Sequence, residues 1–80
     1  MMTCNDLLVS LADIFETSVD QLTEDAGPTA IAGWDSLAAL AVISLLDDSG
    51  VGEITTEDAA SFTTVGAILR FAKSRGVISD

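Results

Sequence analysis

Gly33-Trp34-Asp35-Ser36-Leu37-Ala38-Ala39-Leu40-Ala41-Val42-Ile43-Ser44-Leu45-Leu46-Asp47-Asp48 is the stretch that decides the fold. Nine of the ten residues from Leu37 to Leu46 are apolar, and only Ser44 breaks the run. Asp35 and Ser36 are N-cap residue types, so a helix is predicted to open there and run to about Asp48. Gly50 and Gly52 then terminate it. A helix this apolar on every side belongs at the centre of a fold. An 80-residue chain has too little mass to cover it completely, so part of its surface is expected to stay exposed. Two uses of that surface are open. Ala38, Ala39 and Ala41 face water harmlessly, or the face is an interaction surface for partner proteins.

Working outward, helical periodicity dominates. Leu7, Leu8, Leu11, Ala12, Ile14 and Phe15 share one broad face at about 100° per residue, with Asp6, Ser10 and Asp13 opposite. Thr3 and Asp6 have the spacing of a capping box, so this helix is predicted from about Asn5 to Glu16. Turn chemistry fills Thr17 to Gly33, around Gly27-Pro28, with Val19, Leu22 and Ile31 as isolated apolar anchors. A loop that long carries function or a short turn of helix. Thr55-Thr56-Glu57-Asp58-Ala59-Ala60 reads as a short third helix with a threonine cap and acids in its first turn. Thr63-Thr64 caps a last helix with Val65, Ile68, Leu69 and Ala72 on one face, ended by Gly76. No alternating segment of useful length is present. The predicted fold is all-α, a single domain over residues 1–80 with three main helices and one short one.

Composition narrows the function. Thirteen acids against three bases give a net charge of −10, which argues against DNA, RNA and anionic membranes as partners. Residues 1–58 hold twelve acids and no base, whereas Arg70, Lys73 and Arg75 cluster where they complement the dipole of the last helix. A hydrophobic content of 49% places the chain among folded domains rather than acidic tails. Histidine is absent, which removes the commonest general base and metal ligand. Cys4 is the single cysteine, which excludes an internal disulfide and fits a reducing cytoplasm. The first residues lack a basic stretch, so no signal peptide is expected, and the Leu37–Leu46 run is well short of a membrane span. These features describe a soluble, monomeric, acidic protein whose partners carry basic patches.

Ser36 is the specific feature. It stands at the start of the most apolar helix, where free amides and the helix dipole favour a phosphate. A phosphate on its Oγ needs no nearby lysine, and no base precedes Arg70. With Asp35-Ser36-Leu37 in place, nearly the whole chain resembles the acyl carrier protein family, including peptidyl carrier domains. The resemblance rests on the first amphipathic helix, Val19-Asp20 in the long loop, Asp35-Ser36-Leu37 and the apolar helix after it. Ile54 ahead of a short acidic helix and Phe62-Thr63-Thr64-Val65 at the start of the last complete it.

That resemblance implies an acyl-carrier-like four-helix bundle in which Ser36 bears a 4′-phosphopantetheine arm, flanked by Asp35 and Leu37. A phosphopantetheinyl transferase would install the arm from coenzyme A. Its thiol would hold acyl or aminoacyl thioesters for a loading enzyme and for condensing or acyl-transfer enzymes. The chain would be no enzyme itself. Many fatty-acid carriers have acids on this helix soon after the serine, where this chain has Ala38 and Ala41. Leu37, Ala38, Ala41, Asp47, Asp48, Glu57 and Asp58 are the expected partner contacts, with Asp35 and Glu53 also on the rim. The departure points to a specialised carrier of a polyketide, peptide or other secondary pathway.

Other classes compete. Asp47 to Asp58 has the twelve-residue length of a calcium loop, with Asp47, Ser49, Gly52, Ile54 and Asp58 at suitable positions. Val51 at its fifth position offers no side-chain oxygen, and Asp58 stands where a bidentate Glu belongs. An acidic interaction bundle without prosthetic group explains the charge and the apolar face but leaves Asp35-Ser36-Leu37 as coincidence. Catalysis has the weakest support, because Ser36 has no histidine and Cys4 is expected to lack a cationic neighbour. Trp34 is expected as a half-buried ring pinning the loop to the core, rather than stacking beside an arm.

Overall fold

The computed structural model of the chain describes residues 2–78. Met1, Ser79 and Asp80, the last of the acids, lie outside the described residues. Four helices form an all-helical globule: α1 Cys4–Ile14, α2 Ser36–Asp48, α3 Thr56–Ala60 and α4 Val65–Ser74. No strand occurs among the described residues; Met2 and Ile78 make one isolated backbone bridge.

The caps are those the sequence encodes. Thr3 and Asp6 close a reciprocal capping box on α1, and Thr55 and Asp58 do the same on α3. Asp35 caps α2 and Thr64 caps α4 through their side-chain oxygens. At its other end α1 stops at Ile14, two residues before the expected Glu16. Glu16 adopts φ 54°, and the Glu16 and Thr17 amides donate back to Asp13 and Ala12 at 3.3 and 2.9 Å. That is a left-handed helix stop with a glutamate where glycine is usual, so no residue type announces it.

One core joins α1, α2 and α4. Leu7, Leu11, Ala12 and Phe15 enter from α1, Ala38, Val42 and Leu46 from α2, and Val65, Ile68 and Ala72 from α4. The long loop belongs to this core as well: Leu22, Ala26, Ile31 and Trp34 are buried, with one 3-10 turn at Val19–Gln21. Its carbonyls also finish α4. The Val65 amide donates to Ala26 at 2.9 Å and the Gly66 amide to Glu24 at 3.0 Å. The loop therefore supplies acceptors that the first turn of α4 otherwise lacks.

The join between α1 and α2 is tight. The Trp34 ring stacks on Phe15 with centroids 4.6 Å apart and planes 18° from parallel. It is buried rather than half-buried, at 8% exposure, and it does pin the loop. Beside it, Gly33 lies so close to α1 that a Cβ there would sit 1.9 Å from the Phe15 carbonyl oxygen. No side chain fits. Gly33→Ala is expected to destabilise the fold by about 2–3 kcal/mol, measured by urea unfolding, as overpacked sites do.

Asp58 links local capping to pH. Its carboxyl is held below the ordinary carboxylate value, chiefly by the Thr55 amide. Partial desolvation opposes this, and the Thr55 hydroxyl and Arg75 reinforce it. A lowered folded-state value means the stabilisation is complete above about pH 3.9 and is lost as pH falls through the shifted value. Acid titration followed by amide NMR should therefore show α3 shifting over that range, and the same change should be missing in Asp58→Asn.

Candidate functional site

The N-terminus of α2 gathers the residues around Ser36. Asp35 turns one carboxylate oxygen back onto the helix and accepts from the Ala38 amide at 2.9 Å. Asp35, Ser36 and Leu37 are all exposed. No described residue accepts a hydrogen bond from the Ser36 or Leu37 amides, and the Ser36 hydroxyl makes none. The contrast with α4 is instructive, because there the loop carbonyls take both of the first amides. At α2 two donors and the positive end of a 13-residue helix remain open beside a solvent-facing serine oxygen.

The faces of α2 differ from expectation. Ala38, Val42 and Leu46 form the buried stripe, so Ala38, expected at the partner surface, points into the core at 6% exposure. Ala39 and Ala41 are only partly exposed. The large side chains are outside instead: Leu37 is 77% exposed and Leu40 62%. Leu40 was not singled out from the sequence. Phasing the helix on its polar residues finds it, because Ser36, Ser44, Asp47 and Asp48 share an arc that includes Leu37 and Leu40. The run of apolar residues hid that phase.

The acids separate into groups. Asp35 stands at one end of α2, and Asp47 and Asp48 stand exposed at the other, roughly 20 Å along the axis. Glu57 is exposed on α3. Asp58 is not available in the way expected, because its carboxylate closes the α3 capping box and meets Arg75 at 3.3 Å. Glu16, a residue given no role from the sequence, joins the Ser36 end. It lines an open groove of about 310 Å³ with Ile14, Gly33, Asp35, Leu37, Ala38 and Ala41.

Inside, Trp34, Ala39, Val42, Ile43, Ala59, Phe62 and Ile68 surround an apolar cavity of about 30 Å³, room for one or two water molecules. Cys4 borders an open groove that Glu24, Arg70 and Lys73 also line, so charges of both signs face the groove at its edge. Among the described residues, no three His, Cys, Asp or Glu side chains converge as a metal site. Asp58, the last position of the twelve-residue calcium-loop match, is turned to Arg75. No helix among the described residues is long and apolar enough to cross a membrane.

Comparisons with known protein families, with curated proteins and with solved structures give no match to this chain.

The two faces of α2 make opposite demands on a substitution. Leu40→Gln should change unfolding free energy by less than about 0.5 kcal/mol, as an exposed position does. Ala38→Gln, the same new side chain two residues earlier, should cost about 2–3 kcal/mol by overpacking and burying an amide. Equal costs in a urea melt would contradict the assigned phase.

Proposed function

We propose that this chain is a carrier protein of the acyl carrier type, loaded on Ser36 with 4′-phosphopantetheine by a phosphopantetheinyl transferase. The observation that supports it best is the exposed Ser36 hydroxyl at a helix N-terminus whose first two amides are open. A phosphodiester placed there gains the amides and the helix dipole. The residues fit the group, with one strain: the carboxylates of Asp35 and Glu16 border the same end and repel an added anion. When attached, the arm supplies a thiol that holds an acyl or aminoacyl group as a thioester.

The chain's own residues supply the rest. Asp35 fixes the first turn by capping it, which keeps Ser36 at a defined position on rigid backbone. Leu37 and Leu40 offer apolar contact to loading, condensing and acyl-transfer enzymes, and they lie one helical turn apart beside the serine. Asp47 and Asp48 then meet cations at the far end of such a partner. Charge-steered, modest contact suits a carrier that has to leave each enzyme after use. A face led by leucines rather than acids points to dedicated partners of a specialised pathway over the enzymes of bulk fatty-acid synthesis.

A second reading draws on the same leucines. The chain would be an interaction module without a prosthetic group, using the exposed face of α2 alone. One experiment separates the two. Incubation with coenzyme A and a broad-specificity phosphopantetheinyl transferase should add one phosphopantetheinyl group by intact mass, and Ser36→Ala should abolish the gain. Leu37→Asp should leave the helical circular dichroism unchanged while slowing loading about tenfold, the scale of one lost apolar contact. A chain that stays unmodified with several transferases supports the interaction module instead.

A further inference from the structure

The segment from Val51 to Phe62 meets the rest of the molecule through few apolar side chains: Val51 is buried, and Ile54 and Phe62 pack partly buried against the core. No residue of α3 is fully buried, and Val51 is the single buried residue before it in this segment. Gly50 and Gly52, with φ of 89° and 87°, bracket Val51 in conformations that L side chains rarely adopt. They give the chain two pivots where it leaves α2. Ser61 to Thr64 form the other end, leading into α4.

Arg75, the residue that caps the C-terminus of α4, reaches across to three points of this segment. One guanidinium nitrogen donates to the Val51 carbonyl at 2.9 Å and to the Glu53 carbonyl at 3.0 Å. The other donates to the Asp58 carboxylate at 3.3 Å. The guanidinium also lies over the Phe71 ring, 4.6 Å from its centroid, and Phe71 receives the Phe62 ring edge-on at 5.1 Å. These contacts hold both ends of the segment to α4. Ala59 and Phe62, which it carries, form part of the wall of the small apolar cavity against Trp34, Val42 and Ile68.

We propose that Arg75 is a single-residue clamp, and that residues 53–62 come away from the core and unfold as one unit, with Gly50 and Gly52 as the pivots, when it lets go. The planar fork is what makes the clamp work, because two carbonyls and a carboxylate are bound by one rigid group. Opening removes Ala59 and Phe62 from the cavity wall and exposes its apolar side, while α1, α2 and α4 keep the rest of the core. The inference stands apart from the carrier proposal, since it needs neither the arm nor a cargo.

Native-state hydrogen exchange on the unmodified chain tests it. The amides of Ala59, Ser61 and Phe62 donate within or just after α3 and report its opening. In Arg75→Ala they should exchange at least about tenfold faster, the scale set by losing hydrogen bonds to a charged group. The amides of Leu11, Val42 and Ile68 should stay within about twofold. Arg75→Lys keeps the charge but not the fork and should approach the alanine result. It also serves as the test should Arg75→Ala fail to fold. Unchanged exchange at Ala59, Ser61 and Phe62 overturns the clamp. So does an equal acceleration at every amide, which would make Arg75 a prop of the whole fold.

Discussion

The close approach of Gly33 to the Phe15 carbonyl, roofed by the Trp34–Phe15 stack, is the contact on which the site depends. It brings the last turn of α1 against the residues that enter α2. Asp35 and Ser36 follow directly, so the junction fixes where the helix begins and where the serine emerges. The long loop is pulled in at the same place, with Ile31 and Trp34 buried, and its earlier part ends as acceptors for the first amides of α4. A single backbone contact too narrow for a methyl group thereby registers three elements around one point.

The second constraint is the phase of α2. An apolar run can sit in a core at several rotations, and the one adopted buries Ala38, Val42 and Leu46. With that stripe inside, two leucines stand in water. Leaving Leu37 and Leu40 exposed forgoes roughly 1.5–3 kcal/mol of burial for each. In a chain with so small a core this is a large concession. It is intelligible where another protein covers those side chains part of the time, which is what both functional readings require.

Charge completes the pattern. Twelve acids precede the first base, yet the arc of α2 beside Ser36 carries none between Asp35 and Asp47. Asp35 lies at one end of that arc and Asp47 and Asp48 at the other, so acids border the apolar face proposed for docking without interrupting it. The three bases do different work. Arg70 and Lys73 flank the Cys4 groove on α4, and Arg75 fastens the segment around α3.

Much of this was legible in the chain. Helix count, the four N-caps, the anchoring of the loop by Leu22 and Ile31, and the central place of α2 follow from local chemistry: capping oxygens, glycine stops and a 3.6-residue period. The end of α1 was not legible, because Glu16 takes a left-handed turn that glycine normally announces. The face of α2 was only faintly legible, since Ser44 alone interrupts the apolar run and the phase it shares with Ser36, Asp47 and Asp48 is easily overlooked. The groove shared by Cys4, Arg70 and Lys73 and the three contacts of Arg75 bring together residues 17 to 69 positions apart, beyond any periodic signal. Sequence alone determined which segments are helices and that Ser36 opens the most apolar of them. Tertiary structure decided which side chains stand beside that serine, because packing of the whole core, and not local propensity, sets the rotation of a helix.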